Sequence, residues 1–471
     1  MIEFGTGGWR AIIGQGFIEK NVRIVAEGLV VLMHRLNRAT RPIVIGYDNR
    51  FLSREAAAWM TEVLIKHDVK VEFINKPVPT PLVMHMVMEK GYDWGVAITA
   101  SHNPAEYNGV KLFVREGRDA PVEVTQQLES IIKMLNPDIE YISFNEGCER
   151  KLIKVISDPF DDFIDNIIAR LDVRSIRERH LKVLVDPMHG SGFYPLNVVL
   201  NTTRCYTDAI HCNRDTLFGN QPPAPTETTL NELITKVKNG DYDLGIALDG
   251  DGDRLGIIDS DGTYISANQI LVLLYWYLHT YKGWQGPVVR NLATTHMLDA
   301  MAKDMGEKCI EVPVGFKYIS SGIDKYEAVL GGESSGGLTV RGHIHGKDSI
   351  YAASLFVEML AVTGKNASEL YKDLKDKYGD FEMVEYNMTF NQSEKRKYQD
   401  VIFKEHRLPR FENTVARISY EDGCKVYFED DSWVICRFSG TEAVLRIFAE
   451  AKTKNIAQEY IDAFVEFFKN V

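Results

Sequence analysis

The chain has little of what several function classes require. Its six cysteines, Cys148, Cys205, Cys212, Cys309, Cys424 and Cys436, form no Cys-x-x-Cys pair and no zinc-type cluster. Thiols scattered in this way fit a reducing compartment, so a cytoplasmic protein is expected. No apolar run can span a bilayer: the longest, residues 270–278, falls well short of the ~20 residues a crossing helix takes, and reads as a buried helix. The start, Met1-Ile2-Glu3-Phe4-Gly5, has neither a basic region nor an apolar core, so no signal peptide is expected. Positive charge is in deficit. The net charge is -12, which argues against nucleic acid, itself polyanionic, as a partner. No membrane partner is expected either, and low-complexity segments are absent.

What remains is the composition of a soluble globular protein, 45% hydrophobic and 25% charged. Its 471 residues exceed one ordinary core, and the length suggests about three or four domains.

Three short stretches carry chemistry. The apolar run Trp94-Gly95-Val96-Ala97-Ile98 reads as a buried strand and delivers Thr99-Ala100-Ser101-His102-Asn103-Pro104 at its carboxyl end. Open α/β sheets place reacting groups there. A hydroxyl beside an imidazole is a nucleophile candidate, although Ser-His-Asn-Pro is also an ordinary polar turn. The second stretch, Asp249-Gly250-Asp251-Gly252-Asp253-Arg254, follows another buried strand pattern. Three alternating carboxylates repel unless a cation lies between them, and oxygen donors favour Mg²⁺ or Ca²⁺ over zinc. An EF-hand is excluded, because its required Gly and Glu positions hold Arg254 and Ser260. A solvated Asp-Gly turn is the bland alternative. Arg254 beside the carboxylates is suited to bidentate phosphate recognition. The third stretch, Arg437-Phe438-Ser439-Gly440-Thr441-Glu442 with Arg446 beyond it, sets a small-residue turn between two arginines. It suits a phosphate dianion, or is a plain hairpin turn.

Together these stretches resemble the α-D-phosphohexomutase family of phosphoglucomutases and phosphomannomutases, in the family's order and over almost the whole chain. Phe4-Gly5-Thr6-Gly7-Gly8-Trp9-Arg10 is similar to its amino-terminal Gly-Thr-x-Gly-x-Arg stretch, and Asn108-Gly109-Val110-Lys111 to the lysine-bearing segment after the serine loop. Gly332-Glu333-Ser334-Ser335-Gly336 resembles its sugar-binding loop.

The resemblance implies three similar α/β domains with mixed sheets and a smaller α+β carboxyl-terminal domain around a central cleft. The expected bounds are residues 1–145, 146–258, 259–376 and 377–471. It implies a phosphorylated Ser101, with Mg²⁺ on Asp249, Asp251, Asp253 and an oxygen of that phosphate. The substrate would be a phosphorylated hexose, its standing phosphate held by Arg437, Ser439, Gly440, Thr441 and Arg446, with a bisphosphorylated hexose as intermediate and activator. Glu333 and Ser335 would hold sugar hydroxyls, and Arg254 would bind near the metal and substrate. Arg10 is counted with the catalytic set. Lys111 or His102 is the general base; Lys111 would need a lowered pKa, supplied by repulsion from Arg10 and Arg254.

Some positions depart from the family pattern. Gly337 stands where certain members carry histidine, so Lys347 is taken as a substrate contact instead. Gly315-Phe316-Lys317 is nearer the glucose-type members, and Ala443 replaces a proline. The expectation is therefore a phosphohexomutase with glucose favoured and mannose second. A phosphoglucosamine-type mutase and a silent sugar-phosphate-binding protein are the alternatives. A simple phosphatase is disfavoured, because hydrolysis needs no second phosphate site.

The pattern predicts helices over 21–36, 54–67 (capped by Ser53) and 455–470. It predicts strands over 42–48, 69–74, 181–186, 287–289, 328–330 and 433–438, and a hairpin over 415–428 turning at Asp422-Gly423. Acidic residues at the strand ends Asp48, Asp186 and Asp249 suggest an internal repeat.

Overall fold

The computed structural model describes residues 2–5, 8–391, 393–438 and 444–471. The chain divides into two compact units, residues 1–270 with 335–368, and residues 271–334 with 369–471. Among the described residues no helix is long and apolar enough to cross a membrane.

The first sheet comprises β1 (Trp9–Ile12), β2 (Ile43–Tyr47), β3 (Val71–Ile74), β4 (Trp94–Ile98), β5 (Tyr107–Val114), β6 (Arg118–Asp119) and β7 (Ile153–Ile156). Its order is β1-β5-β4-β2-β3-β7, with β6 on β5. Every residue of β2, β3 and β4 is buried, as parallel strands covered on both faces must be. The βαβ pattern alone predicts a parallel sheet, but β5 runs antiparallel to β4. The connection 99–106 is too short for a crossover, which takes about a dozen residues or more. The break expected at 145 falls inside the helix Phe144–Glu149, and β7 beyond it still pairs with β3.

The second sheet, also in the first unit, is β8 (Lys182–Asp186), β9 (Tyr206–Ala209), β10 (Leu244–Leu248), β11 (Leu255–Asp259) and β12 (Tyr264–Ile265), in the order β12-β11-β10-β8-β9. In the second unit β13 (Val288–Asn291) lies between β14 (Cys309–Val312) and β15 (Leu330–Gly332), all parallel. The chain returns to the first unit at β16 (Leu338–Val340) and the buried helix Ser349–Thr363, where Asp348 accepts from the N–H groups of Ile350 and Tyr351. The last sheet, in the second unit, is β17 (Glu382–Thr389), β18 (Val415–Ser419), β19 (Cys424–Phe428), β20 (Trp433–Phe438) and β21 (Val444–Ala451). It is antiparallel throughout, ordered β17-β21-β20-β19-β18, and its core includes Tyr460, Ile461 and Phe464 of the helix Lys454–Lys469.

The internal repeat is real, with one member reassigned. Central strands β2, β8 and β13 each have a parallel neighbour on both sides, β3 and β4, β9 and β10, β14 and β15. Each ends in a side chain that accepts the N–H two residues on: Asp48 from Arg50 (3.0 Å), Asp186 from Met188 (2.8 Å) and Asn291 from Ala293 (2.9 Å). The third member is Asn291, not Asp249. The strands β4, β10 and β15 are the matching neighbours, and they carry the serine loop, the three-aspartate loop and the Glu333 loop.

The Ser53 cap is also corrected. Leu52 precedes the helix Ser53–Lys66 and makes no side-chain cap; Ser53 Oγ instead donates to Asp48 Oδ1 over 2.8 Å. Strand β17 and the helix Lys395–Phe403 carry no prediction from the pattern.

Candidate active site

In the first unit β4 leads through Thr99 and Ala100 to Ser101, which takes a left-handed backbone with φ of 56°. A non-glycine residue there is held by its surroundings against a cost of about 1–3 kcal/mol. Thr99 Oγ1 donates to Asp48 Oδ2 (2.6 Å) and accepts from the Ser101 N–H (2.8 Å). The main hold is Arg50, which sequence reading passed over. Its fully buried guanidinium donates to the carbonyls of Ser101 (2.7 Å), Asn103 (2.5 Å), Pro104 (2.8 Å) and Tyr107 (3.0 Å), and pairs with Asp48 at 3.4 Å. Only a planar fork with five donors can serve so many acceptors. The signal available was an arginine two residues beyond a buried strand end.

Arg10 reaches the same loop, donating to Asn103 Oδ1. It arrives because β1 lies tight on β5: a Cβ at Gly109 would meet the Trp9 carbonyl at 2.3 Å.

Ser101 Oγ donates to Asp249 Oδ2 over 2.9 Å, and His102 Nδ1 lies 3.3 Å from Ser101 Oγ. Gly250 permits the approach of the two loops, since a Cβ there would meet the Ser101 carbonyl at 2.6 Å. Asp249, Asp251 and Asp253 are buried, with one oxygen of each lying within 4.8 Å of the others. Lys111 Nζ, on β5, donates to Asp251 Oδ2 (2.6 Å) and Asp253 Oδ2 (2.7 Å). Thr80 supports Asp251 from its N–H and its hydroxyl. Oδ1 of Asp251 and Oδ1 of Asp253 are buried without a hydrogen-bond partner. Orphaned buried carboxylate oxygens are costly, and a hard divalent cation is the group that satisfies them. The residues therefore fit the Mg²⁺ that the family resemblance implies.

Burial, and then the charges of Asp253 and Asp251, push the Asp249 carboxyl well up. Burial acts the same way on Asp253, but Lys111, Lys347 and Arg254 outweigh it and hold that carboxyl well down. Burial, followed by Arg254 and Arg10, keeps His102 well below the ordinary imidazole range. The lowered Lys111 pKa expected above is not found. Burial does disfavour its charge, yet Asp251 and Asp253 overcome this and raise it.

Arg254 Nε stands 4.0 Å from Asp253 Oδ1, and Lys347 Nζ 2.9 Å from Asp253 Oδ2. The stem of Lys347 fills the space beside Gly337, where a Cβ would lie 2.1 Å from Lys347 Cδ. Ser335 sits next to Gly336, whose carbonyl accepts from the Leu255 N–H at 3.2 Å.

Four further candidates belong to the second unit. Glu333, at the end of β15, is buried and accepts from Asn291 Nδ2 at 3.3 Å. Lys317 lies in the first turn of the helix Phe316–Tyr326, its ammonium 5.2 Å from the Tyr318 ring centre. Arg437 on β20 and Arg446 on β21 are direct cross-strand partners. Ser439, Gly440 and Thr441 lie outside the described residues, as do Thr6 and Gly7.

Comparison with known proteins agrees along the chain. Residues 1–137, 161–262 and 266–378 match the phosphoglucomutase/phosphomannomutase alpha/beta/alpha domains I, II and III, and residues 385–467 match that family's C-terminal domain. A phosphoglucomutase/phosphomannomutase of Thermococcus kodakarensis is 30% identical over 98% of this chain and 96% of its own length. A phosphoglucosamine/phosphogalactosamine mutase of Sulfurisphaera tokodaii is 28% identical over 98% of this chain and 97% of its own. The solved structure of a phosphoglucomutase/phosphomannomutase family protein from Burkholderia thailandensis shares the fold, with a TM-score of 0.82 at 21% identity over 100% of this chain and 98% of that one. The chain belongs to the phosphoglucomutase/phosphomannomutase family. It is accordingly a mutase, an intramolecular phosphotransferase.

Proposed function

We propose that the chain interconverts a hexose 1-phosphate and a hexose 6-phosphate through a phosphoserine at Ser101 and a bisphosphorylated sugar. The observation that carries this reading is Ser101 Oγ hydrogen-bonded at 2.9 Å to Asp249, beside two aspartates with unsatisfied buried oxygens. A serine ester divides one hard transfer into two easier ones. Asp249, Asp251 and Asp253 would hold Mg²⁺, which when bound neutralises charge and orients the phosphoryl group for in-line transfer.

In the first half the free sugar hydroxyl attacks the phosphorus and the bond to Ser101 Oγ breaks. The hydroxyl proton passes to a base. His102 suits that task, since it is kept neutral and lies close to the serine oxygen. Lys111, charged between two carboxylates, suits electrostatic support of the transferring group better than proton acceptance. The bisphosphate reorients, Ser101 Oγ attacks its other phosphorus, the bond from that phosphorus to the sugar oxygen breaks, and the base returns its proton to the freed hydroxyl. Arg437 and Arg446, with Ser439, Gly440 and Thr441, would anchor whichever phosphate is not reacting. Glu333 and Ser335 would hold sugar hydroxyls, and Arg10, Arg254, Lys317 and Lys347 would complete the phosphate and sugar contacts.

Gly315-Phe316-Lys317 favours glucose phosphates, and the Thermococcus relative supports glucose or mannose phosphates. The Sulfurisphaera relative favours a second reading, glucosamine phosphate. Turnover of glucose, mannose and glucosamine 1-phosphates, each with its bisphosphate as activator, decides between them. Release of inorganic phosphate in place of the isomer would refute a mutase.

A further inference from the structure

The turn Asp422-Gly423 reads from sequence as nothing more than the link between β18 and β19. In the structure it grips an arginine. Asp422 pairs with Arg437 Nη2 through both carboxylate oxygens, at 2.9 Å. Its Oδ2 also accepts the Val314 N–H at 2.8 Å, immediately before Gly315-Phe316-Lys317. Gly423 makes the grip close: a Cβ there would lie 2.5 Å from Arg437 Cγ and 2.5 Å from the Cys436 carbonyl, and its φ is 93°.

We infer that Asp422 is a positioning residue for substrate phosphate, acting through Arg437 and tying that side chain to the segment that leads into the helix carrying Lys317. The inference rests on Arg437 being the phosphate anchor. Two arginines directly opposite on adjacent antiparallel strands repel, and Arg437 and Arg446 are such a pair. The Asp422 carboxylate offsets that repulsion and fixes which way the Arg437 fork points. A long arginine left to itself must be ordered at each binding event, and that ordering subtracts from affinity. Held from behind by Asp422, Arg437 keeps its remaining N–H groups in one orientation. Through the Val314 N–H, the same carboxylate sets the distance between the anchor and the start of the helix Phe316–Tyr326. Asp422 does not touch the substrate in this account.

The test is steady-state kinetics of Asp422→Asn, Arg437→Ala and the double variant, with hexose 1-phosphate and 6-phosphate as separate substrates. Asparagine keeps an acceptor for Val314 N–H and removes the charge. Asp422→Asn should raise KM for both isomers about tenfold, as expected when a misdirected Arg437 loses one charge-assisted hydrogen bond to the phosphate, while kcat changes less than about twofold. In the Arg437→Ala background it should add nothing further to KM. Asp422→Glu, which retains the charge, should recover part of the loss, and serves if the asparagine variant folds poorly. An unchanged or lowered KM in Asp422→Asn, while Arg437→Ala raises it, overturns the positioning role. So does an effect that adds in full to that of Arg437→Ala. An unchanged KM in Arg437→Ala refutes instead the anchor on which the inference rests.

Discussion

The Arg50 guanidinium and the Ser101 carbonyl are 2.7 Å apart, and that contact fixes the reacting loop from beneath. Arg50→Lys keeps the charge but cannot span all four carbonyls. Misplacing a nucleophile by about 1 Å costs roughly a hundredfold in rate, so kcat should fall by about that factor with KM little changed. Steady-state kinetics, with intact-mass measurement of Ser101 phosphorylation, checks it. Wild-type kcat in this variant would show that the loop holds itself.

Ser101→Ala should nearly abolish turnover, and peptide mapping of the wild type should place phosphate on Ser101. Chelation should stop turnover and added Mg²⁺ restore it. Asp251→Asn removes one charge with little change of shape, and should cost at least about tenfold in kcat with the fold intact. Full activity after exhaustive chelation would refute the metal assignment.

Arg437→Ala should raise KM for the 1-phosphate and the 6-phosphate alike, by about tenfold to a hundredfold. It should also let bisphosphate escape during turnover, seen as free bisphosphate in the medium. A KM change confined to one isomer would contradict an anchor shared by both orientations.

Much of this was legible in the sequence because strand-end loops carry their chemistry locally. Ser101, Asp249, Asp251 and Asp253 each follow a five-residue apolar run that reads as a buried strand, and the structure brings them together. What stayed hidden depends on contacts across long stretches of chain. Arg50 meets the loop carbonyls 51–57 residues away, and Asp422 meets Val314 108 residues away, so the local pattern around each does not reveal what it grips. The Lys111 pKa was misjudged for a similar reason. Its repelling arginines were visible in the motifs, but the two carboxylates that grip it were assigned wholly to a metal. The third repeat was misplaced because Asn291 makes the same turn as Asp48 and Asp186 without their charge.

A buried ion network in the second unit gives a pH prediction. Glu311 on β14 accepts from Arg290 Nη1 (2.7 Å) and from Lys425 Nζ on β19 (2.8 Å). Burial disfavours its charge, but His296, Arg290 and Lys425 outweigh this and hold the carboxyl far below its ordinary 4.5. Because the folded pKa is depressed, the stabilisation is present in full above about pH 4.5 and is lost as pH falls below it. Glu311→Gln should therefore be less stable than wild type by about 3–5 kcal/mol at pH 7, with the difference shrinking in acid. Urea unfolding at several pH values measures it, and an equal difference at pH 7 and pH 3 would count against the network.

The matched strands β4, β10 and β15 give the three repeats a division of labour. One address in each repeat is loaded with a different cargo: a serine, a set of carboxylates, a glutamate. Each cargo rides on a strand of its own, while the glutamate loop also leans on the carboxylate loop's flank, where the Gly336 carbonyl accepts the Leu255 N–H. A substitution confined to Glu333, the sugar contact of the proposed function, thus probes selectivity from a strand that presents neither Ser101 nor Asp249.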